Sequence, residues 1–444
     1  MTSTVADRRQ LVLERLQAGS GSTRSRPPRS RSPRAALRSS RERAKAAKAA
    51  RTRRFWDVRR GPAPVAFYVI AVVVAMFVML GLVMVLSSSA ATEVSRGRSP
   101  YFVFNRQVLW AALGVVVLWF TQRINLAILR TGSWALLGMT GAAMVLPMVP
   151  SLGTTVNGAR AWIDVGPFSI QPSEFLKLGV VVFAADLLVR REEEMSDVRR
   201  SLRPVLLLAV TAAGACLAQG DLGSAIVIAS IVLAVGFLAG VPLSPMLATG
   251  LGMGFVAVLF VFSSEYRFNR FTAFLDITGH RDALSYQTYQ GFLAIADGGL
   301  TGSGVGAGNG KLGYLPLAHS DFIFAVVADE LGLIGSIAVV GGFMLLVWFG
   351  IQAALSAADR FGMLLAGGIV AWLAVQAVIN LGGVTGLMPV TGLTLPFFSA
   401  GGSSLFISMA AVGLLLNVAR RPADALATPV PVSARRDRRR RHGS

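Results

Sequence analysis

Cysteine and histidine are almost missing from this chain. The single cysteine, Cys216, lies in an apolar stretch and excludes both a disulfide framework and a cysteine metal cluster. Three histidines, His280, His319 and His442, leave too few ligands for a histidine metal site. Charge is also scarce: 15% of the 444 positions are charged against 53% hydrophobic, and the mean hydropathy is +0.59. A soluble domain of this length cannot accommodate that much apolar surface, so the chain reads as an integral membrane protein. Residues 1–62 hold no apolar core of the kind a cleavable signal peptide needs, and the first span has to serve as its own insertion signal. No internal repeat is evident, which leaves the inverted halves of many transporters without support.

What the chain has in excess is positive charge, +20 in all. Its location decides its meaning. Residues 1–62 carry 18 Lys and Arg against 4 acids, residues 420–444 carry 8 against 2, and the body between them is neutral. Basic tails beside membrane spans are orientation signals, so both termini are expected in the cytoplasm and no nucleic-acid partner is expected. Residues 18–54, biased to Ser, Arg, Pro and Ala, are expected to be disordered. The resulting division is a basic cytoplasmic tail over 1–62, a membrane body over 63–420 and a second basic cytoplasmic tail over 421–444.

The body reads as an all-α polytopic membrane protein of about ten transmembrane helices, although several apolar stretches are shorter than the roughly 20 residues that a perpendicular span requires. These stretches are Val65 to Ala90, Val108 to Phe120, Trp134 to Val149, Phe175 to Val189, Val205 to Ala218, Leu222 to Leu238, Met246 to Ser263, Phe322 to Ile351, Met363 to Leu387 and Leu405 to Val418. The arginine-rich connection Val189 to Arg203 then falls on the cytoplasmic side. A large loop over 265–320, between spans 7 and 8, falls outside.

Polar residues concentrate at a few boundaries. "NGARAWIDVGPFSIQPSEFLK" (Asn157 to Lys177) begins as a loop and enters a span, with Ser173 placed as an N-cap and Glu174 in the first turn. Glu174 and Lys177 share a helix face, either as a local ion pair or with Lys177 or Arg160 holding an anionic ligand. In "AQGDLGSAIV" (Ala218 to Val227), Asp221 is placed as an N-cap. "GGLTGSGVGAGNGKLG" (Gly298 to Gly313) fits no nucleotide-binding spacing, since Lys311 is followed by leucine, but its backbone could approach a polar ligand. "GLMPVTGLTLPFFSAGGSS" (Gly386 to Ser404) is a broken stretch of the kind tolerated at membrane depth only inside protein or along a cavity. "LAHSDFIFAVVADELG" (Leu317 to Gly332) carries Asp321 as either a helix cap or a functional acid, and places Asp329 and Glu330 deeper, where pairing with Gln376 or Asn380 is expected.

In this order, "NGARAW", "QPSEFLK", "QGDLGSA", "LPLAHSDFIFAVVADELGLIG" and "GLMPVTGLTLPFFSAGGSS" closely resemble the signature segments of the shape, elongation, division and sporulation (SEDS) family, the FtsW and RodA proteins. The resemblance spans about residues 64–420. It implies a peptidoglycan glycosyltransferase that polymerises lipid II in the outer leaflet of the bacterial plasma membrane, an inverting transfer with undecaprenyl diphosphate as leaving group. A class B penicillin-binding protein and other divisome membrane proteins are the implied partners. Asp321 matches the family's essential acid. Arg160, Trp162, Glu174, Lys177, Lys311, His319, Ser320, Pro396, Ser399, Gly401, Gly402 and Ser403 are implied to form the substrate site, with Asp221, Asp329, Glu330, Gln376 and Asn380 as structural polar residues. The resemblance leaves room for a divalent cation such as Mg or Mn and requires no other cofactor.

The chain departs from the family pattern at Gly220 (usually proline), Asp329 (usually glutamate) and Ala400 (often tyrosine). The last, with the long basic N-terminal extension, favours a septal, division role, with a RodA-type elongation polymerase as the alternative. A lipid II flippase is a further reading, against which stands the lack of an acidic relay joining the two membrane faces.

Overall fold

The computed structural model describes residues 63–420 except 157, 167, 193–197, 278, 280–284 and 309–317. Both basic tails and Lys311 lie outside the described residues. The helices are α1 Val65–Ser95, α2 Phe102–Thr121, α3 Leu126–Thr131, α4 Ser133–Ala143, α5 Pro172–Arg190, α6 Val198–Ala218, α7 Leu222–Ala239, α8 Leu243–Phe262, α9 Glu265–Leu275, α10 Tyr286–Gly298, α11 Ile323–Leu355, α12 Arg360–Val384 and α13 Gly402–Ala419.

Each of the ten expected apolar stretches coincides with one of these helices. Seven, α1, α2, α7, α8, α11, α12 and α13, are long and apolar enough to cross a membrane. Long valine runs such as that of α1 do not favour a helix in water. In hydrocarbon a helix is the form in which one segment bonds all its own N–H and C=O groups. The third stretch is shorter than expected, α4 being followed by a 3-10 turn over Leu146–Met148.

α12 and α13 form the interior. α13 packs along α2, while α12 packs against α11, α7 and α5, and α11 lies against α1. Trp372, Leu364, Phe398 and Ile231 are among the side chains fully enclosed there. α8 is the opposite case: apolar on every side, it has no buried residue and presents its length to lipid.

Two features depart from an uninterrupted bundle. Between α4 and α5 the chain forms an antiparallel sheet in the order β1 Gly153–Val156, β2 Ala159–Val165, β3 Phe168–Ile170, where the sequence analysis places only a loop. The alternation in "ARAWIDV" explains it, with Ala161 and Ile163 buried on one face. The other departure is a break in α11 at Gly332, whose φ of 65° and ψ of −161° are closed to side chains with a Cβ. The glycine-rich segment after α10 closes that break. Ser303 and Gly304 donate their N–H groups to the Asp329 and Glu330 carbonyls at 2.9 and 3.0 Å, and Leu333 donates to the Gly299 carbonyl at 2.9 Å. The described part of this segment is therefore tied to α11 at Ser303 and Gly304.

Candidate functional site

The motif segments converge at one end of the bundle, around the first residues of α5, α7, α11 and α13. α5 starts at Pro172, whose missing N–H and fixed φ suit the first helical position. Gln171 occupies the N-cap and makes no side-chain cap bond, so Ser173 is not the cap that the sequence suggests. Its hydroxyl donates instead to Asp221 Oδ2 at 2.9 Å, and Gln171 Nε2 donates to the same oxygen at 2.9 Å. Asp221 does cap α7 as expected, its Oδ1 accepting from the Ser224 N–H at 2.9 Å. One carboxylate thus joins the starts of α5 and α7. The preceding residue but one, Gln219, accepts the Arg160 N–H on its carbonyl at 2.9 Å and so fixes β2 to the same corner.

Glu174 and Lys177 lie one turn into α5 and are almost completely buried, at 2% and 0% exposure. Lys177 Nζ donates to Glu174 Oε1 at 2.9 Å and to Gln376 Oε1 at 3.0 Å. Trp372 Nε1 donates to the same Gln376 oxygen at 2.8 Å. Lys177, expected among the cations that grip a ligand, is therefore enclosed by its own protein partners. Arg160 is different: its half-buried side chain has an Nε with no hydrogen-bond partner among the described residues. Trp162 stands two residues on in β2, half-buried, opposite Thr154.

Asp321 precedes α11 and is 7% exposed. It is not the helix cap, because that position belongs to Phe322, which makes no side-chain bond. Its carboxylate accepts from Ser320 Oγ at 2.9 Å, and its main-chain carbonyl accepts from Asn380 Nδ2 at 2.8 Å. Burial pushes the Asp321 carboxyl above the usual carboxylate range, against the Ser320 hydrogen bond and the positive field of Arg270 from α9. Two residues earlier, His319 is held below the ordinary imidazole value by burial, with the nearby Glu93 at the end of α1 acting in the opposite direction. Glu93 is itself buried and paired with Arg96 at 3.2 Å.

The broken stretch after α12 is the other wall. Phe397 takes a φ of 70°, rare for a side chain of its size, in the turn Leu395 to Ser399. Gly81 of α1 allows that turn to lie against the helix, since a Cβ there would meet the Phe397 carbonyl and the Phe398 Cα. Pro396 and Ser399 are buried. Ser399 Oγ accepts from the Leu395 N–H at 2.8 Å, and its carbonyl accepts from Gln107 Nε2 of α2 at 3.0 Å. The Ala400 N–H donates to the His319 carbonyl at 2.8 Å, tying this turn to the segment that bears Asp321. Gly401 and Gly402 open α13, and Gly402 is flush with the Trp110 indole. Ser403 Oγ accepts from the Gln171 N–H at 3.3 Å.

Asp329 and Glu330 stay outside this group. Glu330 accepts from Ser87 Oγ of α1 and, at 3.0 Å, from the Gly306 N–H. The expected partners Gln376 and Asn380 project from α12 towards Lys177 and Asp321, while Glu330 turns towards α1 and the glycine-rich segment and Asp329 lies beside Gly308. Trp372, Thr394 and Gln107 are site neighbours not foreseen from the sequence. The first had a visible signal: Trp372, Gln376 and Asn380 recur every four residues in an otherwise apolar span. Among the described residues no group of three or more His, Cys, Asp or Glu is placed to hold a metal ion.

A family model described as "Cell cycle protein", covering FtsW, RodA and SpoVE, matches residues 67–423. Stage V sporulation protein E of Bacillus subtilis is 38% identical over 353 residues, 79% of this chain and 96% of that protein. The "Probable peptidoglycan glycosyltransferase FtsW" of Mycobacterium tuberculosis is 36% identical over 361 residues, 81% of this chain and 69% of that protein. Among solved structures, a chain from a peptidoglycan synthase complex that coordinates polymerization and crosslinking aligns with a TM-score of 0.65 at 31% identity, over 79% of this chain and 96% of that one. The rod shape determining protein RodA of Thermus thermophilus aligns with a TM-score of 0.59 at 30% identity, over 79% of this chain and 95% of that one.

Proposed function

The chain belongs to the FtsW, RodA and SpoVE family of cell cycle proteins, and from that premise we propose that it polymerises lipid II at the septum with Asp321 as its general base. It is a multi-pass membrane protein and a peptidoglycan glycosyltransferase, as its curated FtsW relatives are named. Residues 63–420 are the transmembrane glycosyltransferase domain, with 265–320 outside the cell and the basic segments 1–62 and 421–444 in the cytoplasm.

The observation that carries the reading is the placement of Asp321. A carboxylate that does not cap its helix is nonetheless buried where three motif segments meet. In the reaction a sugar hydroxyl forms a new bond to the anomeric carbon of a second lipid-linked sugar, the bond from that carbon to the diphosphate oxygen breaks, and the hydroxyl proton passes to the Asp321 carboxylate. Undecaprenyl diphosphate leaves, and attack from the opposite face inverts the anomeric centre. General-base help of this kind contributes about 10²- to 10⁴-fold. Arg160, whose half-buried side chain has an enclosed Nε without a partner among the described residues, is the cation suited to meet the departing diphosphate, whereas Lys177, neutralised by Glu174, braces the wall of the site through Gln376. Trp162, His319, Ser320, Ser399 and Ser403 complete the acceptor and donor surfaces, and Lys311 belongs to the same outer loop.

A class B penicillin-binding protein is the partner that would cross-link the product, a reading supported by the similarity to a synthase complex that couples the two activities. Elongation is the second reading, favoured by the RodA likeness. The test uses the purified full chain, alone and with a class B penicillin-binding protein, supplied with lipid II and resolved on a glycan gel. Polymer from wild type and none from Asp321→Asn is expected; polymer from the mutant overturns the assignment. Filamentation on depletion in the parent bacterium identifies the septal role, and rounding identifies elongation.

A further inference from the structure

The chain carries one polar helix face that the reaction as described does not use. Gln376 and Asn380 lie one turn apart on α12, about 6 Å along its axis, and therefore share a side. Gln376 Nε2 donates to the Thr394 carbonyl at 3.0 Å while its Oε1 accepts from Lys177. Asn380 Nδ2 donates to two carbonyls, that of Leu393 at 2.7 Å and that of Asp321 at 2.8 Å. Adjacent carbonyls of the broken stretch are thus pinned by adjacent turns of one buried helix, which also reaches the buried cation on one side and the acid on the other.

Asn380 is a costly residue at this place. It is 5% exposed in the interior of an apolar helix, asparagine is a poor helix former, and its Oδ1 has no hydrogen-bond partner among the described residues. Burying an amide with an unsatisfied oxygen is unfavourable relative to an apolar side chain of similar shape. What a leucine lacks is the amide group that holds Asp321 to Leu393.

We propose that Asn380 is a positioning residue for the reaction: by clamping the Asp321 main chain to the Leu393 carbonyl, it fixes where the Asp321 carboxylate stands relative to the turn that reaches His319 through Ala400. The Ala400 N–H holds the segment at His319 and Asn380 holds it at Asp321, so the three-residue motif is fixed at both ends. Without the second tie, the carboxylate is free to swing about the first. The inference rests on the reading of Asp321 as base.

The experiment compares wild type, Asp321→Asn, Asn380→Leu and Asn380→Ser in the full-length protein with lipid II, measuring kcat per folded molecule, KM and the pH dependence of kcat. Asn380→Leu is expected to lose about 10²-fold in kcat, the scale of a misplacement near 1 Å, with KM of both variants within about twofold of wild type. The acid limb of their pH profile should move, because the carboxyl environment set by burial, Ser320 and Arg270 changes as the main chain shifts. The serine variant, which keeps a short donor, should lose less than the leucine variant. An unchanged kcat and acid limb in folded Asn380 variants overturns the inference while Asp321→Asn remains inactive. A loss that follows only the folded fraction, or failure of both variants to fold, also overturns it, since the amide then serves folding alone. Activity in Asp321→Asn is the separate result that removes the reading beneath it.

Discussion

Lys177 and Glu174 form an ion pair of 2.9 Å in which neither side chain retains more than 2% of its exposure. Both charges are removed from water and from lipid, and Gln376 accepts a second hydrogen bond from the lysine at 3.0 Å. Such a pair confers little net stability when intact, yet removing one partner strands the other, at about 3–5 kcal/mol. Lys177→Met and Glu174→Leu are each expected to lower the unfolding temperature in detergent clearly. The double variant should recover much of the loss, since replacing both partners is close to neutral. Equal additive losses in a double-mutant cycle would show that the pair is not coupled.

The elevated Asp321 pKa yields a prediction with two signs. As a base Asp321 must be ionised, so kcat should rise with pH through a midpoint above the usual aspartate range. Stability runs the other way. A carboxyl with a raised folded-state pKa binds its proton more tightly in the native protein, so stability falls as pH climbs from the ordinary value through the raised one. Asp321→Asn, neutral at every pH, should therefore unfold no lower than wild type at pH 7 while losing polymerisation. A markedly lower unfolding temperature would mean that the carboxylate supports the fold.

Gly332 makes the break in α11 possible, and Gly332→Ala places a Cβ in a conformation that costs about 1–3 kcal/mol. The added atom would also crowd the Gly302 N–H and the Leu300 carbonyl. Hydrogen exchange should then quicken at Ser303 and Gly304, whose N–H groups bond to the carbonyls just before the break. Unaltered protection at these amides would show that the segment docks without the break.

Asp221→Ala removes a helix cap together with the acceptor for Gln171 and Ser173, a combined loss on the order of 2–4 kcal/mol. Asp221→Asn keeps an oxygen for the cap and should lose less. Because the same corner holds Arg160 through Gln219, KM for lipid II is expected to rise in the alanine variant. A KM equal to wild type would disconnect this corner from the substrate.

The apolar stretches and the capping aspartate at 221 were legible because they depend on local rules: the length of an apolar run, and a short acid before a helix. The small sheet was not. Its outer strands are only 4 and 3 residues long, so the alternation in the 7-residue β2 has no neighbour in the sequence that marks a sheet. Ser173 carried the signal of a cap, but Asp221 lies 48 positions away and presents a charged acceptor, which a local rule cannot register. Glu330 bonds Ser87 and Gly306 in place of the expected Gln376 or Asn380, because the sequence gives no sign that the glycine-rich segment docks on α11 beside the break at Gly332.

By itself the sequence determined that this chain lives in a membrane, roughly where it crosses, and which polar residues stand at the span boundaries, because hydrophobic runs and isolated charges are properties of the covalent chain. Only the tertiary structure decided which polar groups satisfy one another. Lys177 finds Gln376 across 199 positions and Asp321 finds Asn380 across 59, pairings made by the close packing of helices whose apolar faces carry no record of their neighbours.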